Sequence, residues 1–230
     1  SSAMSGVTND LVKKSKLISN NFNKAEYDVL VSTGEQVSCA LIAARLDHLG
    51  FKSRSWMSWQ IPIITGGPYS SSRIEKIPTG DIEKYIKSGG IPIITGFQGL
   101  NNYLRLTTLG RGGSDASAIM IAKFFKAKKC IIYTDVDGVY TTDPNLTKKA
   151  KKIKALSYEE MLEMSSLGAK VMQPASIQDA KLNKVKIDVR SSFTNKTGTQ
   201  ITGRKKIKDT NIIRGVSFTK NDAKVSLLGV

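Results

Sequence analysis

The chain has 230 residues, 40% hydrophobic and 23% charged, enough for one domain or one domain and part of another. The formal net charge is +16, but the lysines are spread along the chain, dense only at 148–154 and 204–208 and without interleaved aromatics. That pattern predicts attraction of a small polyanion and argues against a nucleic-acid platform. No run of about 18 apolar residues predicts a membrane span. One histidine, His48, and two separated cysteines exclude a zinc cluster and a histidine-based triad.

The opening SSAMSG lacks a basic-then-apolar signal pattern and reads as a cut end, with material upstream. The following DLVKKSKLIS (10–19) has a helical pattern. Residues 27–32 (YDVLVS) predict a short apolar strand, and Thr33-Gly34 turns it into a helix over 35–49, closed by Gly50. His48 falls at the C-terminus of that helix, which favours cations. Residues 51–56 predict a strand and 81–87 a helix ended by Gly89-Gly90. IPIIT (91–95) predicts a strand whose Pro92 suggests an edge or an opening position. Residues 114–125 are helical in period. CIIYT (130–134) suits a strand buried on both faces. Ser157 to Glu160 form a capping box at the start of the next helix, and Pro174 opens another to about residue 182. VKIDV (185–189) is a further strand.

This alternation predicts an α/β sandwich with a mainly parallel sheet. IPIITG occurs at both 61–66 and 91–96, but the flanks differ, so the two copies read as similar strand-to-loop junctions. After Asn195 the polar, basic stretch reads as a linker. Strands at 212–218 and 223–230 around the turn TKND then read as the beginning of a second domain. Cys39 and Cys130 sit in apolar-periodic segments and are expected to be reduced core thiols of a cytoplasmic protein.

Four segments carry chemistry, and ligands of α/β sheets bind outside the carboxyl ends of strands. Residues 2–9 place small hydroxyl residues at a helix start, where they bind an anion or where Thr8 or Asn9 caps the helix. In 32–35, Glu35 is either a surface charge in a first helical turn or a carboxylate facing the crevice, able to receive an ammonium group. In TTLGRGGSD (107–115), three glycines let backbone approach a ligand, and Arg111 offers a fork suited to carboxylate or phosphate. Ser114 is a capping candidate, and Asp115 caps the helix or positions a metal or a substrate amine. Residues 134–144 (TDVDGVYTTDP) form a hairpin with Asp137-Gly138 as its turn, hold a nucleotide, or do both. No phosphate-loop lysine motif and no activated Ser, Cys or His nucleophile accompany them. The nucleophile of any reaction therefore belongs to the substrate, as in phosphoryl transfer.

Taken together, SAMSGVTN (2–9), STGEQVS (32–38), the run from Gly96-Phe97 through TTLGRGGSD (96–115), TDVDGVYTTDP (134–144) and SLGAKVMQPASI (166–177) resemble the aspartate kinases of the amino acid kinase family. They keep that family's order over almost all of residues 1–200. TTLGRGGSD is the most specific of them, since members acting on glutamate, acetylglutamate, carbamate or UMP have different substrate loops. GVSFTKNDAKVSLLGV (215–230) looks like the start of the first ACT regulatory module.

The resemblance implies an α/β three-layer α/β/α sandwich, the amino acid kinase fold, over 1–203, with a linker and the beginning of an ACT domain at 204–230. It implies transfer of the γ-phosphoryl group of ATP, with Mg²⁺ bridging the phosphates, to the side-chain carboxylate of L-aspartate. This is the first step toward lysine, threonine and methionine. A homo-oligomer formed through the regulatory region is expected, with neither nucleic acid nor membrane as partner. By motif, Arg111 binds an aspartate carboxylate, helped by Gly112, Gly113 and Ser114. Glu35 and Asp115 hold the substrate amine, and Thr8 lines the same pocket. Ser2 approaches the phosphates, Thr134, Asp135, Tyr140 and Asn145 take the nucleotide, and Lys170 reaches the nucleotide end. Arg111, Asp115 and Lys170 form the implied catalytic set.

Two departures stand out. The family's opening strand K-F-G-G-T-S, whose lysine contacts the transferring phosphate, does not precede SSAMSG here, so this chain as it stands is expected to turn over little. Asn145 also occupies a position where the family often has Arg, with Lys148 or Lys149 as possible substitutes. The alternatives are another amino acid kinase, such as one acting on glutamate, and a non-catalytic regulatory fragment.

Overall fold

The computed structural model describes residues 1–168, 171–203 and 215–216, divided into two units, Ser1–Cys130 and Ile131–Val230. The first unit holds α1 (Val7–Ile18), α2 (Lys24–His48), β1 (Ser53–Trp56), β2 (Ile64–Gly66), β3 (Arg73–Lys76), α3 (Gly80–Lys87), β4 (Ile91–Ile94), β5 (Gln98–Leu100), β6 (Leu106–Thr108) and α4 (Gly113–Phe124). Strands β1 and β4 pair in parallel, with Trp56 opposite Ile94. A second sheet runs β3-β2-β5-β6, with β2 and β5 parallel and the outer pairs antiparallel.

The strand expected at 27–32 is instead part of α2, a correction with a clear physical reason. The buried residues of α2 include Asp28, Val31, Ser32, Glu35, Ser38 and Cys39, which recur at helical spacing. The inward face therefore mixes polar residues with small or apolar ones, Val31, Gly34, Cys39 and Ala43 among them, and an apolar-period reading passes over its first half. Asn23 opens the helix, its side chain accepting the N–H groups of Ala25 (2.9 Å) and Glu26 (3.3 Å). By length and composition alone α2 is apolar enough to cross a membrane, with a mean hydropathy of 1.2 over 18 residues. Here it is the central helix of the first unit, packed on α1, β1, β4 and β6. His48 is its exposed last residue.

Trp56, Ile61, Ile63, Ile74, Ile77, Ile82, Ile94 and Met120 form the core of this unit. Each fully buried large aliphatic contributes roughly 1.5–3 kcal/mol. The two IPIITG copies differ in structure: the second forms β4 from its first residue, whereas β2 begins only at the fourth residue of the first. They are not a structural repeat.

In the second unit, β7 (Cys130–Thr134), β8 (Ala155–Ser157), β9 (Ile187–Ser191) and β10 (Thr199–Thr202) form a sheet in the order β7-β9-β10-β8, with α5 (Tyr158–Ser166) and α6 (Pro174–Leu182) packed together. The capping box is present: Ser157 Oγ accepts from Glu160 N (3.1 Å), and Glu160 Oε2 accepts from Ser157 N (2.7 Å). β10 falls within the stretch expected to be linker, a second correction. Its Thr199 is fully buried, with Oγ1 accepting from Val139 N (2.8 Å) and donating to Ile153 O (2.6 Å). A strand anchored by hydroxyls has the composition of a loop. Both cysteines are buried and free. The fold class is α/β. The strands expected at 212–218 and 223–230 lie outside the described residues except for Gly215 and Val216.

Candidate functional site

Residues 1–3 run along α2 and β4. The Ser1 amino nitrogen donates to Ile94 O (2.6 Å) and Gly96 N donates to Ser1 O (2.9 Å). Ser38 Oγ donates to Ser2 O (2.6 Å), and Ala3 N donates to Glu35 Oε1 (3.1 Å). This approach is close because Gly34 has no side chain: a Cβ there would stand 2.9 Å from Ala3 Cβ. Glu35 is therefore not at a strand-to-helix turn, as its neighbours suggested, but inside α2. Its side chain is only 3% exposed, and Oε2 is buried without a hydrogen-bond partner among the described residues. Burial pushes its carboxyl above the usual range, against the pull of the Ala3 N–H.

The loop 107–115 meets this segment. Gly110 and Gly112 take φ of +75° and +72°, a region that glycine enters without steric cost. Gly112 is the N-cap of α4 and no side chain caps the helix, so neither Ser114 nor Asp115 acts as a cap. Gly6 likewise opens α1 without a side-chain cap, which sets aside Thr8 and Asn9 as capping residues. Thr8, half-buried, lies in the first turn of α1.

The two segments touch where Ser2 Oγ donates to Ser114 Oγ (3.0 Å). Gly96 lies beneath that contact, where a Cβ would meet Ser1 O at 2.9 Å and Ser114 Cα at 3.3 Å. At Gly113 a Cβ would stand 2.6 Å from Phe97 Cδ2. Arg111 is exposed and has no ion pair or hydrogen bond among the described residues. Burial lifts the Asp115 carboxyl to about 6. The first unit thus gathers a free guanidinium, two uncapped helix N-termini and two carboxyls in contacting segments. Such a set suits a small ligand bearing both anionic and cationic groups.

Asp28 was missed from the sequence. It is fully buried and accepts four hydrogen bonds, from the backbone N–H and hydroxyl of Ser70 and of Thr108. An aspartate inside the apolar run YDVLV was the available signal, since a buried charge requires partners.

The nucleotide candidates lie in the second unit. Thr134 Oγ1 donates to Asp135 Oδ1 (3.0 Å). Tyr140 pairs with Lys152 as an antiparallel bridge, so the hairpin spans 140–152 and Asp137-Gly138 is not its turn. Asp137, expected only as a turn residue, accepts from Tyr140 OH (2.6 Å) and pairs with Lys152 Nζ (3.3 Å). Those contacts hold its carboxyl below the usual range and push the Tyr140 phenol up. Asn145 N donates to Asp143 Oδ1 (2.8 Å), which turns the chain after Pro144. Lys170 lies outside the described residues.

Residues 1–191 match the model of the amino acid kinase family. The whole chain aligns at 44% identity with an aspartokinase of Geobacillus stearothermophilus and at 44% with one of Helicobacter pylori, covering 56% and 58% of those proteins. The chain therefore spans little more than half the length of these curated relatives. Among solved structures it resembles E. coli aspartokinase III in complex with aspartate and ADP, with a TM-score of 0.78 and 28% identity over 91% of this chain and 47% of that one. It also resembles the aspartate kinase of Synechocystis, with a TM-score of 0.76 and 35% identity over 92% and 34% of the two chains.

Proposed function

Since the chain belongs to the amino acid kinase family, we propose that it forms the catalytic part of an aspartate kinase, which moves the γ-phosphoryl group of ATP onto the side-chain carboxylate of L-aspartate. The observation that carries this reading is Arg111, a free guanidinium on a loop whose backbone is held from both sides. Leu109 N donates to Phe97 O before it, and Gly113 N donates to Gly110 O across it. A cationic fork on a held backbone, without an internal partner, suits a substrate carboxylate. Support comes from the E. coli relative, whose crystal structure contains aspartate and ADP.

In the reaction a carboxylate oxygen of aspartate forms a bond to the γ-phosphorus, and the bond from that phosphorus to the β,γ-bridging oxygen breaks. The products are 4-phospho-L-aspartate and ADP. The attacking carboxylate is already ionised at pH 7, so no general base is needed. The protein's task is to position two anions and offset their charge. Arg111 holds a carboxylate of aspartate. The open oxygen of Glu35, together with Asp115, receives the ammonium group, with Thr8, Gly112, Gly113 and Ser114 closing the same pocket. Ser2 faces the phosphates. Thr134, Asp135, Tyr140, Asn145 and Lys170 take ATP, and Mg²⁺ enters on its phosphates. The kinase domain covers 1–203, and an ACT region beginning at 204–230 joins a homo-oligomer. The enzyme works in the cytoplasm, at the head of lysine, threonine and methionine synthesis.

The test is Arg111→Ala in the full-length protein. The KM for aspartate is expected to rise roughly 10- to 100-fold, the scale of a lost charge-assisted contact, with ATP binding kept. An unchanged aspartate KM would remove Arg111 from this role.

A further inference from the structure

Asp28 takes no part in the chemistry above, yet it is one of the most fully committed side chains in the first unit. It is 0% exposed, and its two oxygens accept four hydrogen bonds in a symmetrical clamp. Oδ2 takes the backbone N–H groups of Ser70 and Thr108, both at 2.8 Å. Oδ1 takes their hydroxyls, at 2.7 and 2.9 Å. Four donors fill the lone-pair sites of an ionised carboxylate and leave none for a ligand. The clamp therefore acts on what it holds.

What it holds is the root of the Arg111 loop. Thr108 ends β6, three residues before Arg111. Its N–H is fixed by Asp28, and its carbonyl accepts from Ser72 N (3.0 Å). Ser70 sits at φ +63°, a region uncommon for a residue with a side chain, and such backbone persists where its surroundings over-determine it. Its carbonyl lies 3.0 Å from where a Cβ on Gly110 would stand, so the Ser70 turn supports the loop from outside. Asp28 also shares a helix with Glu35, seven residues and two turns away on the same face, a rise of ~10.5 Å. One rigid helix thus carries the proposed ammonium receptor at one point and the anchor of the carboxylate receptor at another.

We propose that Asp28 is a positioning residue that sets the distance between Arg111 and Glu35, and so fits the pocket to an amino acid of one length. The proposal rests on the reading of Arg111 and Glu35 as substrate contacts. Asp28→Asn keeps the size of the side chain but replaces one acceptor oxygen with a donor. Thr108→Val keeps shape and loses the hydroxyl, whereas Thr108→Ser keeps the hydroxyl.

The experiment measures the KM values for aspartate and ATP, and kcat, for these variants of the full-length protein, alone and combined with Arg111→Ala. Asp28→Asn is expected to raise the aspartate KM about tenfold or more, the scale of a lost charge-assisted hydrogen bond, while the ATP KM stays within about twofold. Thr108→Val follows it and Thr108→Ser does not. In the Arg111→Ala background Asp28→Asn adds little further, because both act on one contact. If Asp28→Asn does not fold, Thr108→Val against Thr108→Ser decides. An aspartate KM unchanged in Asp28→Asn or Thr108→Val overturns the proposal, as does an equal rise in both KM values. If Arg111→Ala alone leaves the aspartate KM unchanged, the reading of the pocket itself falls.

Discussion

Asp115 shows how one half-buried carboxyl ties affinity and stability to pH. In the folded chain it titrates near 6 because burial disfavours its charge, whereas an unfolded aspartate titrates at ~3.9. The folded state therefore binds an extra proton between those values. The charged side chain costs stability above pH 6, and the cost fades as pH falls toward 4. If ionised Asp115 receives the substrate ammonium, kcat/KM for aspartate at saturating ATP falls as pH drops through about 6. A pH profile over 5–8 checks this, and in Asp115→Asn that inflection is lost together with aspartate affinity. The same variant is expected to be more stable than wild type at pH 8 by ~1–3 kcal/mol, with the gain shrinking below pH 6. A profile flat through 6 in the wild type would place Asp115 outside substrate binding. The candidate residues Arg111 and Asp115 were legible in the sequence because charges among glycines at a helix start have no packing role. The contacts of Asp28 were not, because they are bonds to residues 42 and 80 positions away.

At the scale of elements, legibility followed the chemistry of the buried face. Helices α3, α4 and α6 and strands β4 and β7 present apolar residues inward at the expected period, or carry local stop and start signals, and the sequence predicts them to within one or two residues, as it does the start of α5. α2 and β10 break that rule. The inward face of α2 interleaves Asp28, Ser32, Glu35 and Ser38 with Val31, Gly34, Cys39 and Ala43, and β10 is centred on Thr199, so both carry buried polar groups among their core contacts. Apolar period is a weak guide to an element whose buried face is partly polar. Gly34 shows the reverse problem. It reads as a helix-breaking turn, but it sits in the middle of α2 to admit Ala3 and Val7. Gly34→Val is expected to cost about 1–3 kcal/mol through overpacking and to raise the aspartate KM by displacing Ala3 from Glu35. Thermal unfolding alongside kinetics checks both effects. Gly80→Ala, where a Cβ meets nothing within 4 Å, serves as the neutral control.

At the scale of the whole molecule, the ordered motifs fixed the family reading, because each is a short loop set between elements that local pattern already marks. The net charge of +16 is consistent with the two anionic substrates proposed above, and it carries no further specificity. In the proposed reading, specificity resides in the Arg111 loop and its distance from Glu35. The most direct measurement is phosphoryl transfer by the full-length protein to a panel of acceptors, with the acyl phosphate trapped as its hydroxamate. ADP and hydroxamate are expected to form in equal amounts with L-aspartate, and at no more than about a few per cent of that rate with L-glutamate, acetylglutamate or UMP. Equal or faster transfer to glutamate, or ADP release that does not depend on aspartate, would contradict the proposed reading.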